Sequence, residues 1–227
     1  MAVITAVLLP GLDGTGELFA PFVDAAPVGV STIVADYPTS EASVDILERH
    51  AREKITDHCI VIAESFSGPI GVRIAADLRV QALVLCNSFI SSPIFPALRY
   101  LVIPPLFTIP LPSLVIRSVL LGHQSHPALV ENVHSVLRRL PADVIARRVR
   151  QVLQTDERRT VRSLSKPILY LRGHNDRLVS ERSWKELQTI RPDAQVVGIP
   201  GPHMLLQISP KECWRSIVRF VEESAAG

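Results

Sequence analysis

Ser65 stands in Ala63-Glu64-Ser65-Phe66-Ser67-Gly68, where an apolar run, His58–Ala63, meets a stretch of helical spacing, Ser67 to Leu78. A serine on a sharp strand-to-helix turn has its hydroxyl lifted clear of the sheet, and small residues two positions to either side let strand and helix pass closely. The chemistry this permits is nucleophilic attack on a carbonyl. Ala63 and Ser67 fill the two places where glycine is usual, and taken alone the stretch also reads as a helix N-cap. A serine nucleophile needs a base, and the base needs an orienting acid. Of the seven histidines, His203 follows an apolar strand-like run in Ile199-Pro200-Gly201-Pro202-His203-Met204 and precedes a helical stretch. The other six fall on expected helices, strand starts, an insertion or a loop. Asp176 follows a third such run in Arg172-Gly173-His174-Asn175-Asp176; by itself it reads as a turn or capping aspartate.

The loop Leu9-Pro10-Gly11-Leu12-Asp13-Gly14-Thr15-Gly16 is dense in glycine. No lysine follows in the place a phosphate loop requires, and the spacing fails a dinucleotide fingerprint. An oxyanion loop remains, with a plain glycine turn as the alternative. In that reading the N–H groups of Leu12 and of Phe66 hold the negative oxygen formed on attack.

These residues must be carried to one place by the elements between them. Val3–Leu9, Thr32–Tyr37, His58–Ala63, Val80–Cys86, Pro167–Leu171 and Ala194–Ile199 read as strands, most of them continuously apolar, as in strands covered on both faces. Helices are expected over Ser43–Ile55, Ser67–Leu78 (Ile70, Ile74 and Leu78 on one stripe), Ser180–Ile190 and Pro210–Glu223. The alternation predicts an α/β fold: a mostly parallel sheet of about six strands with helices on both faces. Active sites in such sheets gather at the carboxyl ends of the strands, where Leu12, Ser65, Asp176 and His203 all fall. The rhythm breaks after Asn87. Residues 88–163 are expected to form an inserted helical cap, and residues 1–87 with 164–227 the core.

Composition narrows the classes further. Hydrophobic residues are 47% of 227, enough for a sizeable core. With 24 basic against 22 acidic residues, and Arg147, Arg148, Arg150, Arg158, Arg159 and Arg162 interrupted by other types, a solvated helix face is expected rather than a nucleic-acid surface. Cys59, Cys86 and Cys213 are odd in number and widely spaced, which suits reduced structural thiols and a cytoplasmic protein. The apolar N-terminus lacks a basic lead and a cleavage site, so it reads as a strand rather than a signal peptide. Leu101–Ile116 carries four prolines and is too short to span a bilayer.

Together Leu9–Gly16, Ala63–Gly68, Gly173–Val179 and Pro200–Gln207 resemble the α/β-hydrolase superfamily, in particular small bacterial serine esterases and lipase-like hydrolases. The loops also resemble those of phytyl ester synthase-type acyltransferases. The order Ser65, Asp176, His203 is that of this architecture. The chain opens directly on the strand before the oxyanion loop, which implies a minimal core lacking two edge strands. The resemblance implies a Ser-His-Asp triad, carboxylic-ester hydrolysis through an acyl-enzyme, and no metal or organic cofactor. Acyl transfer and thioester cleavage would use the same parts, and a ligand-binding protein that merely kept the pocket is a third reading. A serine nucleophile disfavours epoxide hydrolase and dehalogenase chemistry. Substrate contacts are assigned to Asp13, Phe89 and Met204. The expected partner is a small-molecule ester with an apolar acyl or aryl group, seated under the apolar insertion; contact of that insertion with a membrane surface is the less favoured use.

Overall fold

The computed structural model describes residues 4–123 and 125–226. Val3, at the head of the first expected strand, lies outside them. Six strands form one sheet: β1 (Ile4–Leu9), β2 (Val30–Val34), β3 (Cys59–Glu64), β4 (Val80–Cys86), β5 (Ile168–Gly173) and β6 (Gln195–Ile199). Their order is β2-β1-β3-β4-β5-β6, and every pairing is parallel. The period-2 geometry of a strand divides each apolar run between two cores. Val7, Leu9, Val61, Ala63, Leu83 and Leu85 face one; Ala6, Leu8, Ile60, Ile62, Val84 and Cys86 face the other.

The first core is closed by α2 (Val44–Arg52) and α3 (Gly68–Ile74), then by α6 (Arg158–Ser163) and α7 (Glu181–Ile190). The second is closed by α1 (Ala20–Asp24), the short α8 (Leu205–Ile208) and α9 (Pro210–Ala226). There Trp214 stacks on Phe22 at 4.3 Å between centroids and donates its indole N–H to the Phe22 carbonyl at 2.7 Å. All three cysteines are buried and free.

Between β4 and β5 lie short proline-capped turns, then α4 (Pro127–Arg138) and α5 (Ala142–Val152). Ile116, Leu121, Val130, Val133 and Val136 form a third cluster, which joins Leu18 and Met204 of the remainder. Val161 of α6 instead belongs to the first core.

Three expectations need correction. β2 ends at Val34, because Tyr37 leaves the ladder, bonding the Gly14 carbonyl at 2.7 Å through its N–H. Helix α3 stops at Ile74, and Leu78, expected on its buried stripe, is 86% exposed. Arg148 is not part of a solvated face: it is fully buried, and α5 aims it inward.

Candidate active site

Strand β3 delivers Ser65 into a tight turn. The serine takes φ +46°, a left-handed conformation that a residue with a Cβ adopts only under local constraint. Gly68 allows the turn: a Cβ there would lie 1.8 Å from the Ser88 Oγ, so α3 could not start this close to β4 with any larger residue. Ser88 also donates its hydroxyl to the Ser65 carbonyl at 2.5 Å. Ser65 remains partly exposed, whereas Ser67, two residues on, is buried with its hydroxyl spent on Tyr37 Oη and the Pro10 carbonyl.

The three residues expected to act together meet. His203 Nε2 lies 2.9 Å from Ser65 Oγ. His203 Nδ1 lies 3.0 Å from both carboxylate oxygens of Asp176. The carboxylate is held from behind by the N–H groups of Leu178 (2.8 Å) and Val179 (3.1 Å), both donating to Oδ1. Both side chains of the pair are nearly excluded from solvent.

Asn87 makes this meeting possible, and sequence reasoning passed over it. It directly follows β4, in the left-handed region, φ +43°. Its Nδ2 donates to the carbonyls of Pro202 (3.0 Å) and His203 (2.7 Å), while its Oδ1 accepts the Gly173 N–H at 2.7 Å. One buried amide thus ties the histidine loop, the end of β5 and the end of β4. The only sequence signal was position: Asn87 is the last residue before the strand rhythm breaks.

The Leu9–Gly16 loop lies beside the turn. Among the described residues the Leu12 N–H has no hydrogen-bond partner, and the Phe66 N–H belongs to the first turn of a short 3-10 helix, Ser65–Ser67, where amides lack internal acceptors. The carbonyl side of the loop is fixed by Arg148. Its Nη1 donates to the carbonyls of Leu12 and Asp13, each at 2.8 Å, its Nε to Glu41 and its Nη2 to Pro38, both at 3.0 Å. A buried guanidinium is tolerated because its donors find acceptors.

The three residues assigned to substrate sit less openly. Asp13 is buried and turns its carboxylate onto the N–H and hydroxyl of Thr15, at 3.0 and 2.8 Å. Phe89 is buried, with its backbone against the start of α3. Met204 packs into the third cluster and donates its N–H to the Leu120 carbonyl at 2.9 Å. Among the described residues no group of three or more His, Cys, Asp or Glu side chains is arranged to hold a metal.

Glu64, just before the serine, is buried and accepts a 3.1 Å bond from Gln207 Nε2; its Oε1 and the Gln207 Oε1 have no partner. Burial pushes its carboxyl up to about 7, against the opposing pull of His203 and the Gln207 bond. The unfolded chain releases this proton near 4.5, the folded chain near 7. Glu64 therefore costs nothing below the lower value, and stability falls as pH rises between the two, by about 3 kcal/mol in all. Glu64→Gln should remove that fall. In urea unfolding its advantage over the parent should grow from nil at low pH to a few kcal/mol at pH 8; a difference constant with pH would mean the carboxyl does not titrate this way.

No protein-family model matches the chain. Among curated proteins it is 30% identical over 87 residues to a 2-(acetamidomethylene)succinate hydrolase from Mesorhizobium japonicum; the match spans 38% of this chain and 31% of that protein, under a third of its length. Solved structures align over almost the whole chain. An enol-lactonase from Burkholderia xenovorans superposes with a TM-score of 0.78 at 16% identity, covering 98% of this chain and 92% of its own. A bromoperoxidase from Bacillus anthracis gives 0.78 at 14%, over 98% and 92%. A lipase-esterase related protein from Clostridium acetobutylicum gives 0.78 at 12%, over 96% and 95%. The chain therefore has the α/β-hydrolase fold.

Proposed function

We propose that the protein is a serine hydrolase that cleaves carboxylic esters with an apolar acyl or aryl group. The observation that carries this reading is the pair of contacts through His203, 2.9 Å to Ser65 Oγ on one nitrogen and 3.0 Å to Asp176 on the other. An enol-lactonase and a lipase-esterase related protein among the structural neighbours accord with it.

In this reaction Ser65 Oγ attacks the ester carbonyl carbon as its proton passes to His203 Nε2. Asp176 keeps the remaining imidazole proton on Nδ1 and stabilises the cation that forms. The N–H groups of Leu12 and Phe66 take the charge of the oxyanion. The intermediate collapses, the C–O bond breaks, and the departing alcohol leaves with the proton from His203. Water then attacks the acyl-serine by the same route, releasing the acid and restoring Ser65.

The test is hydrolysis of a p-nitrophenyl ester series below the micelle threshold. A pocket lined by apolar side chains gains up to ~0.8 kcal/mol per buried methylene, so kcat/KM should rise about fourfold per methylene beyond acetyl until the pocket is full. Turnover that falls steadily from acetyl upward would remove the lipophilic substrate while leaving the ester chemistry. No turnover of any member would count against the hydrolase itself.

A further inference from the structure

The strongest unexplained feature is on the outside. Of fourteen large apolar side chains exposed among the described residues, eleven lie between Ile94 and Val115. Phe95 and Tyr100 are each 73% exposed, Leu101 68% and Ile109 74%. An apolar surface this concentrated marks a place where something other than water is met. Along the chain its charge is one-sided, and the acid that shares its cleft, Asp156, is paired with Arg158 at 2.5 Å. From Leu78 to Val130 the sequence holds no aspartate or glutamate, while Arg99 lies in the exposed run and Arg117 just beyond it, its Nη1 donating to the Ser125 carbonyl at 2.8 Å. Arg99 stacks over the Tyr100 ring at 4.6 Å, the pairing of aromatic and cation that suits the boundary between headgroups and acyl chains.

The backbone sets how deep such a segment can go. It is built from short turns, Pro96–Leu101 and Pro104–Phe107, with further prolines at 110 and 112. Polar backbone groups outside a continuous helix must stay wet, so the side chains can enter a lipid surface while the chain itself lies on it. No described helix is long and apolar enough to cross a membrane. Both ends of the segment are anchored beside the candidate site. Upstream, Ser88 bonds the Ser65 carbonyl; downstream, the Leu120 carbonyl takes the N–H of Met204, next to His203.

We infer that the 94–115 segment seats the protein on the surface of an anionic phospholipid bilayer, with its apolar side chains in the headgroup boundary and Arg99 toward the lipid phosphates. This binding goes beyond the ester-hydrolase reading and does not depend on it. If both hold, the enzyme would meet lipophilic esters where they are dissolved.

The experiment is flotation of the full-length protein with vesicles of phosphatidylcholine alone and with about a third phosphatidylglycerol. Binding is expected on the anionic vesicles, with at least tenfold less on neutral ones and weakening in high salt. Phe95→Ser/Tyr100→Ser/Leu101→Ser should lower anionic binding at least tenfold, and Leu106→Ser/Ile109→Ser should do so independently. All five side chains are exposed, so both variants should melt like the parent, and their turnover of a soluble short-chain ester should match it. A protein that stays with the solvent in both vesicle types would overturn the proposal. So would equal binding to neutral vesicles, undiminished binding by both variants, or a light-scattering dimer that the serine variants dissolve, since a second copy would then cover the patch. Ester turnover, whatever its value, is read separately and decides only the catalytic reading.

Discussion

Ser65→Ala is expected to lower ester turnover by a factor on the order of 10⁶, the scale on which removal of a nucleophile costs other serine hydrolases. That corresponds to roughly 8 kcal/mol of transition-state stabilisation. A fluorophosphonate probe should label the parent and leave the variant unmarked. The fold should survive, because alanine occupies φ +46° at much the same cost as serine and the Ser65 carbonyl keeps its bond from Ser88. The sharpest competitor is Ser67, and geometry already separates the two. Its hydroxyl is fully buried between Tyr37 and Pro10, whereas Ser65 is partly open and within 2.9 Å of a histidine nitrogen. Labelling that persists in Ser65→Ala and maps to Ser67 would overturn the assignment.

Much of this arrangement is legible in the sequence because the sheet is parallel and buried on both faces. Continuous apolar runs mark the strands, and a parallel order puts every strand's carboxyl end on one edge. Residues after different runs, more than a hundred positions apart, can then be read as neighbours. What stays hidden is the hydrogen-bonded support. Asn87 reads as the end of a strand, yet it joins three loops through one amide. Arg148 sits in a stretch rich in arginine, and nothing in its spacing separates it from Arg147, which is exposed and pairs with Asp143 at 3.0 Å. Only the helix phase over a cap of unknown docking angle turns one outward and sends the other to the Leu12 and Asp13 carbonyls. The insertion was hidden in a different way. Its apolar composition suggests a core, and periodicity is too weak to show that Ile116 and Leu121 turn inward while residues 94–115 remain outside.

Asp176→Asn should cut kcat by about 10⁴-fold, with KM and melting temperature little changed. The change is nearly isosteric, so the outcome depends on where one donor replaces one acceptor. Oδ1 of Asp176 accepts from Leu178 and Val179 as well as facing His203, at 2.8, 3.1 and 3.0 Å. An asparagine that keeps its oxygen on those amides must put its NH2 where Oδ2 stands, also 3.0 Å from His203 Nδ1. A donor there forces Nδ1 to become the acceptor and moves the ring proton to Nε2. That nitrogen can then no longer take the proton of Ser65. The opposite rotamer restores the imidazole tautomer but sets an NH2 against two N–H donors, leaving them without an acceptor at a nearly buried site. That cost favours the first rotamer, in which the serine loses its base while keeping its position. Fluorophosphonate labelling of Ser65 should slow in the variant without moving to another residue. Two other carboxylates lie near the elbow, Asp13 and Glu64, but Asp13 is bonded to Thr15 and Glu64 to Gln207. Near-normal turnover in Asp176→Asn would show that one of them orients the base, and would overturn the role assigned to Asp176.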